Sequence, residues 1–178
     1  GAGFGSVDTL EILRDGDAVC ARTHLGLPQR VVLAGHLDTV PIAENVPGRL
    51  EVRDGVEVVW GRGSVDMLGG CAAALALACE AGALIGGGAR EALTADVTWI
   101  FYDHEEVASH FNGLGRIQRL YPQWLAGDLA LLGEPTAAHV EGGCNGTLRV
   151  IAHFPGRAAH SARAWMGVNA IHAMAPVI

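Results

Sequence analysis

The fold is decided by residues 99–106, Trp-Ile-Phe-Tyr-Asp-His-Glu-Glu, where an apolar run passes directly into adjacent carboxylates. The β-branched and aromatic residues of positions 97–102 are typical of a buried strand. In an open α/β sheet, ligands and catalytic groups gather at the carboxyl ends of strands. Glu105 and Glu106 are therefore candidates for a site in which one glutamate binds a metal and the other moves a proton. The alternative is a solvated turn before a helix N-terminus, which also favours acidic residues.

The composition is that of a globular chain with one domain, or one domain and part of another. It has 178 residues, of which 50% are hydrophobic and 17% are charged, as in folded proteins generally. The net charge of −7 argues against nucleic-acid binding, which needs a basic face. No uninterrupted apolar run reaches the roughly 18 residues of a membrane span, and Gly1–Asp8 does not resemble a signal peptide. The four cysteines form no Cys-x-x-Cys pair, so we expect reduced thiols and a cytoplasmic location.

Short strands alternate with helices over most of the chain. We predict hairpins over residues 7–24 and 49–60, strands over 30–34, 97–102 and 128–132, and helices over 71–81 and 107–120. This alternation predicts an α/β fold with a mostly parallel sheet flanked by helices. The run 71–81 carries no charge before Glu80, so its helix is expected to be buried on most sides.

The pattern changes from about residue 147. Residues 147–154 alternate like a half-exposed strand, and residues 169–178 have helical periodicity. We therefore expect an incomplete catalytic domain over 1–146 and the beginning of a second domain over 147–178.

Polar side chains follow three of the predicted strands. In chain order they are His36, Glu105 with Glu106, and Glu134. Asp66 adds a further carboxylate at the start of the helix that follows the second hairpin. One imidazole and several carboxylates suit zinc or a similar divalent ion, and a carboxylate can bridge two ions about 3.5–4 Å apart.

Each of these residues also has an ordinary explanation. Asp66 could be only a helix N-cap, and a single histidine is commonly a surface or hydrogen-bonded residue. Asp38 lies on the same side of an extended chain as His36, so it could orient the imidazole. No spacing rule joins positions 36 and 134, so the residues by themselves leave the ligand set open.

Four motifs together resemble those of the co-catalytic zinc deacylase and peptidase family, and their order and approximate spacing match the family's. They are Leu33-Ala-Gly-His-Leu-Asp-Thr-Val-Pro41, Gly61-Arg-Gly-Ser-Val-Asp-Met67, Glu105-Glu106 and Gly133-Glu-Pro-Thr136. Residues 157–172 resemble the start of that family's inserted lid and dimerisation domain. This lid stretch and Gly142-Gly-Cys-Asn-Gly-Thr-Leu148 are most similar to the desuccinylase branch.

The resemblance implies a role for each site residue. The metal ligands would be His36 and Glu134 on a first ion, Glu106 on a second ion, and Asp66 bridging both. Glu105 would be the general base that activates the attacking water. His160 would stabilise the oxyanion, reaching into the site of a partner subunit. The resemblance also implies a cis peptide bond between Asp66 and Met67.

The implied activity is hydrolysis of a linear amide bond by a homodimer with two Zn²⁺ or Co²⁺ ions in the full-length enzyme. The substrate would be a small N-acyl amino acid, and in the desuccinylase branch it would be N-succinyl-diaminopimelate, an intermediate of lysine biosynthesis. An acetylornithine deacetylase, an aminoacylase, and a non-catalytic binding homologue remain alternatives. The family's last metal-binding histidine follows the lid, and this sequence ends at Ile178, within the lid. The second ion would therefore have only Asp66 and Glu106 as ligands. We expect this chain to hold one ion and to be a poor enzyme by itself.

Overall fold

The elements of the chain are seen in a computed structural model that describes residues 3–7, 9–143, 146 and 148–177. The strands in these residues are β1 (Gly3–Val7), β2 (Leu10–Asp15), β3 (Ala18–Arg22), β4 (Arg30–His36), β5 (Arg49–Arg53), β6 (Val56–Trp60), β7 (Asp96–Tyr102) and β8 (Leu129–Leu132). The α-helices are α1 (Gly69–Gly86), α2 (Gly113–Leu120) and α3 (Ala170–Met174). The chain divides into two compact units, Gly1–His139 and Val140–Ile178. Each is described by itself.

The first unit contains a six-stranded mixed sheet with strand order β1-β2-β3-β7-β4-β8. The pairs β1–β2, β2–β3 and β3–β7 are antiparallel, whereas β4 runs parallel to both β7 and β8. Strands β5 and β6 form a separate hairpin. The predicted α/β fold is confirmed. The sheet is mixed rather than mostly parallel, and its parallel pairing is confined to β7, β4 and β8, which end at or just before candidate site residues.

The alternation of side chains along the strands builds a core on each face of the sheet. The first core cluster contains Leu13, Ala18, Cys20, Val32, Ile100, Tyr102, Ile117 and Trp124. The second contains Ala21, Ala78, Ala81 and Trp99. Trp99 and Ile100 are adjacent in β7 but belong to different clusters, so this strand is buried on both faces, as its apolar run predicted.

Helix α1 is more exposed than we predicted. Its buried residues are Cys71, Ala78 and Ala81, while Leu75 and Leu77 are 54% and 51% exposed. The expected burial on most sides is wrong, because a helix lying on a sheet buries one strip, whatever the composition of its other faces. By length and composition alone the stretch Ser64–Gly86, with mean hydropathy 1.8, is apolar enough to cross a membrane. The core helix of a soluble protein passes the same test, so this is weak support for a span.

The predicted strand over 147–154 is wrong for the residues that the structure describes there. Residues 148–154 form no strand, and all except Phe154 are exposed. Alternation by itself does not make a strand, since the backbone groups also need a partner strand. Thr147, like Cys144 and Asn145 of the desuccinylase-like motif, lies outside the described residues.

The second unit has its regular structure near its end. Arg157 pairs with Val168 in an isolated antiparallel bridge. Asn169 then caps helix α3 by accepting from the amides of Ile171 and His172. The predicted helix over 169–178 is thus present as α3, followed by a 3-10 turn over Ala175–Val177. The proposed domain boundary near residue 146 stays a prediction.

Buried Asp96 anchors the beginning of β7. It is 3% exposed, and its Oδ1 accepts from the Thr23 hydroxyl at 2.6 Å and from the Leu25 amide at 2.9 Å. Its Oδ2 accepts from the Leu27 amide at 3.0 Å and lies 3.8 Å from the Arg30 guanidinium. Burial favours protonation of Asp96, but these donors outweigh it and hold the pKa of the carboxyl below its ordinary value.

Asp96→Asn should lower the free energy of unfolding at neutral pH by about 1–3 kcal/mol, because the new NH₂ group faces a backbone donor. The pKa of Asp96 is lower in the folded than in the unfolded chain. Its stabilisation is therefore complete above the unfolded pKa of about 4 and is lost as the pH falls through the folded value. Urea unfolding between pH 7 and pH 3 should show the difference between wild type and variant shrinking in acid. The exposed Asp17→Asn is the control, and equal stability of wild type and Asp96→Asn at pH 7 would contradict the prediction.

Candidate active site

The carboxyl ends of β7, β4 and β8 meet at one edge of the sheet. His36, the last residue of β4, lies opposite Tyr102, the last residue of β7. Ala34 of β4 lies opposite Leu132, the last residue of β8. Glu105 and Glu106 follow β7, and Glu134 follows β8. The parallel register thus brings together side chains that are far apart in the sequence.

Two groups of possible metal ligands form at this edge. They are His36 with Asp66 and Glu134, and His36 with Glu105 and Glu106; within each group the ligand atoms lie within 4.8 Å of one another. In the first group His36 Nε2 lies 3.1 Å from Asp66 Oδ1. Imidazole and carboxylate donors at this spacing fit a divalent ion such as zinc.

The two groups agree with the sequence expectation for His36, Asp66 and Glu134. The expectation for Glu106 was a pairing with Asp66. In the structure Glu106 is grouped with Glu105 and His36, and it lines a cavity of about 290 Å³ together with Asp66. Their roles as metal ligands remain predictions.

The charges at the site favour a cation. Burial and the surrounding carboxylates of Asp66, Glu105 and Glu106 raise the pKa of Glu134 above its ordinary value, and His36 only partly opposes them. Crowded, partly desolvated carboxylates repel one another. A divalent ion would relieve that repulsion. The charges at the site and the types of ligand atom therefore both favour a bound cation.

Contacts on several sides fix the orientation of the His36 ring. It is 1% exposed, and its ring meets Tyr102 edge-on, with centroids 6.2 Å apart. Its amide donates to Met67 Sδ at 3.3 Å, and its carbonyl accepts from Cys71 Sγ at 3.2 Å. Its Nδ1 lies 2.9 Å from the carbonyl oxygen of Asp38. An Nδ1–H that donates to this carbonyl leaves the Nε2 lone pair directed at the candidate metal position.

The pKa of His36 lies above its ordinary value. Burial by itself would lower it, but the hydrogen bond to the Asp38 carbonyl and the carboxylates of Asp66 and Glu134 outweigh burial and raise it. Positive charge at Nε2 is therefore favoured, from a proton or from a metal ion.

Asp38 acts on the glutamate pair as well as on the imidazole. Its Oδ1 accepts from the Glu105 amide and its Oδ2 from the Glu106 amide, each at 3.0 Å. The carboxylate is farther from His36, with Oδ1 3.7 Å from Nδ1. Burial opposes ionisation, but the amide hydrogen bonds outweigh it and hold the pKa of Asp38 below its ordinary value. The expected contact with the imidazole is made mainly by the Asp38 backbone carbonyl.

Asp66 lies in a distorted turn over Ser64–Leu68 that leads into α1. The peptide bond between Asp66 and Met67 is cis, which confirms the expectation from the family resemblance. The first turn of α1 then passes very close to the end of β8. A Cβ on Gly70 would lie 2.3 Å from the Gly133 carbonyl oxygen, so this approach requires glycine. It brings the turn with Asp66 alongside Glu134.

His160 belongs to the second unit. It is exposed, and its Nδ1 accepts from the Ala162 amide at 3.2 Å, which caps the 3-10 helix Ser161–Met166. It lines a cavity of about 250 Å³ with Arg157, Ser161 and Asn169. Its expected roles in oxyanion stabilisation and in the site of a partner subunit remain predictions.

Three further residues, Asp103, His104 and Arg116, lie in or contact the segment just before the glutamate pair, and no sequence motif marked them. Asp103, two residues before Glu105, forms a hydrogen-bonded ion pair with Arg116 at 2.7 Å. Only the position of Asp103 after a strand could have drawn attention to it. Arg116 gives no sequence signal, because its partner lies on another element.

Comparison with known proteins gives consistent matches. A family model described as Peptidase family M20/M25/M40 matches residues 32–170. A Mycobacterium tuberculosis protein provisionally named succinyl-diaminopimelate desuccinylase DapE is 50% identical over 168 residues, which are 94% of this chain and 44% of the relative. The succinyl-diaminopimelate desuccinylase of Corynebacterium glutamicum is 48% identical over 175 residues, 95% of this chain and 43% of the relative. That of Novosphingobium aromaticivorans is 33% identical over 107 residues, 60% of this chain and 26% of the relative. The chain thus spans less than half of the length of these relatives.

Proposed function

Because this chain belongs to peptidase family M20/M25/M40, a metal-dependent family, we propose that the full-length protein hydrolyses N-succinyl-diaminopimelate to succinate and diaminopimelate. The observation that carries the proposal is the grouping of His36 with Asp66 and Glu134, and with Glu105 and Glu106, at one sheet edge. The names of the relatives that are 48–50% identical support the choice of substrate.

The ligands in this chain are His36, Asp66, Glu106 and Glu134. When bound, two Zn²⁺ or Co²⁺ ions would polarise the amide carbonyl and make water more acidic. Asp38 keeps the backbone of the glutamate pair in place, and the contacts around His36 keep Nε2 directed at the site.

Glu105 performs the proton transfer in this proposal. Its carboxylate takes a proton from water as the water oxygen bonds to the amide carbon, and returns a proton to the nitrogen as the C–N bond breaks. The new carboxylic acid then loses its proton to the amine, so the products are a carboxylate and an ammonium group, and atoms and charge balance. We place the reaction in the cytoplasm, in a homodimer in which His160 stabilises the oxyanion across the interface.

An acyl-group comparison tests this proposal. The full-length protein, stripped of metal and then reloaded with zinc, is assayed with N-succinyl-diaminopimelate and with N-acetyl amino acids. We expect hydrolysis that requires zinc, and a kcat/KM about 10–100-fold higher for the succinyl substrate, the value of one charged hydrogen bond. Preference for acetyl substrates would overturn the assignment of the acyl group. Absence of zinc-dependent hydrolysis of both would overturn the assignment as an amide hydrolase.

A further inference from the structure

A network of ionisable groups includes and contacts the segment just before the glutamate pair, on residues outside both candidate ligand groups. Its members are Asp15, Asp103, His104 and Arg116. Asp103 is 7% exposed and follows β7 directly, two residues before Glu105. The network therefore connects the turn that carries the glutamates to other parts of the first unit.

Arg116 is the centre of this network. Its Nη2 donates to Asp103 Oδ1 at 2.7 Å and its Nη1 to Asp103 Oδ2 at 3.3 Å. The same Nη2 donates to the Asp15 carbonyl at 2.9 Å, and Nε lies 3.4 Å from Asp15 Oδ2. A planar guanidinium can make these contacts together, whereas an ammonium group cannot. Arg116 thus joins α2 to the residue that follows β7 and to the last residue of β2.

The first residue of α2, Gly113, lies in close contact with Asp103. The Gly113 amide donates to the Asp103 carbonyl at 2.8 Å. A Cβ on Gly113 would lie 2.2 Å from Asp103 Oδ1, so only glycine allows this helix start to meet the carboxylate. The position of Asp103 is therefore determined both by its side-chain partner and by its backbone.

His104 links the network to the glutamates. Its φ is +62°, in the left-handed region that a non-glycine residue seldom adopts without local support. Its Nδ1 lies 2.6 Å from Asp103 Oδ2, the oxygen that also accepts from Arg116. The side chain of His104 is thus held by the carboxylate that Arg116 fixes, and Glu105 and Glu106 follow immediately.

We propose that Arg116 is a positioning residue for the glutamate pair, acting through Asp103 and the left-handed turn at His104. Asp38 holds the amides of Glu105 and Glu106 from one side, and the Arg116–Asp103 pair holds the residue before them. Losing either support lets the two carboxylates move relative to His36. The effect on catalysis rests on the proposed function, but the effect on metal coordination does not.

Arg116→Met and Arg116→Lys in the full-length protein test this proposal, with Arg119→Met as the matched control. Arg119 lies on the same helix and is exposed. We expect Arg116→Met to lower kcat about tenfold, the smaller end of the effect of residues that support metal ligands, with KM changed less than about twofold. The visible absorption spectrum of the Co²⁺-loaded protein should change as well, because the glutamates are displaced. The control should match wild type in both measurements.

The spectrum separates positioning from a merely structural role. A residue that only stabilises the fold would lower the melting temperature and leave the spectrum and kcat of the folded protein unchanged, and that result would overturn the proposal. Should Arg116→Met not fold, Arg116→Lys provides the test, because lysine keeps the positive charge but cannot make the several hydrogen bonds of the planar guanidinium. A wild-type spectrum and kcat for Arg116→Lys would also overturn the proposal. If wild type binds Co²⁺ but does not hydrolyse the succinyl substrate, the proposed function fails, and the spectrum still tests the role of Arg116.

Discussion

Glu105→Gln in the full-length protein is expected to lower kcat by about 10²–10⁴-fold, the usual contribution of a general base, and to leave metal binding nearly unchanged. Glutamine keeps the shape of the side chain and the backbone amide that donates to Asp38. It cannot accept the proton of the attacking water. Steady-state kinetics give kcat, and titration of the metal-free protein with zinc gives the affinity.

Glu106→Gln is the matched variant, because the two glutamates are adjacent and both lie in the ligand group of His36. Its zinc affinity should fall, since Glu106 is proposed to bind the metal. The exposed Glu57→Gln controls for loss of a negative charge. Equal loss of zinc by Glu105→Gln and Glu106→Gln would show that the two glutamates do not have separate roles.

The part of the site that lies on the parallel strands could be predicted from the sequence. The apolar run of β7 ends at Tyr102 and the carboxylates follow, so their place at the sheet edge needs only the strand and its direction. His36 and Glu134 follow the same rule on β4 and β8. Convergence of these side chains is a property of the topology, and short sequence patterns can identify that topology.

Contacts between distant backbone and side chains could not be predicted. Asp38 binds amides 67 and 68 positions away, and any residue except proline supplies an amide, so no residue type marks the partner. Arg116 likewise gives no sign that it meets Asp103. The failures in the fold have a related cause. The sequence of α1 is apolar, but its burial depends on which other elements lie beside it. Residues 147–154 alternate in the sequence, but a strand there also needs a partner strand.

Asp38→Asn is the second substitution for which we expect a large effect, because Asp38 is the only described carboxylate that accepts from the amides of both Glu105 and Glu106. Asp38→Asn replaces one oxygen by an NH₂ group, which would face the amide of Glu105 or Glu106 as donor against donor. The backbone of the pair must then shift. We expect zinc affinity and kcat each to fall about 10–100-fold, as found for residues that support metal ligands.

The combination of effects distinguishes Asp38 from its neighbours. Glu105→Gln should change kcat alone, whereas Asp38→Asn should change kcat and zinc affinity together, since one carboxylate holds both glutamates. Asp38→Ala should act at least as strongly, because it leaves two amide donors without their acceptors. Asp54→Asn, an exposed change in the turn between β5 and β6, is the control and should match wild type. If Asp38→Asn kept wild-type kcat and zinc affinity in the folded full-length protein, the carboxylate of Asp38 would have no part in positioning the pair.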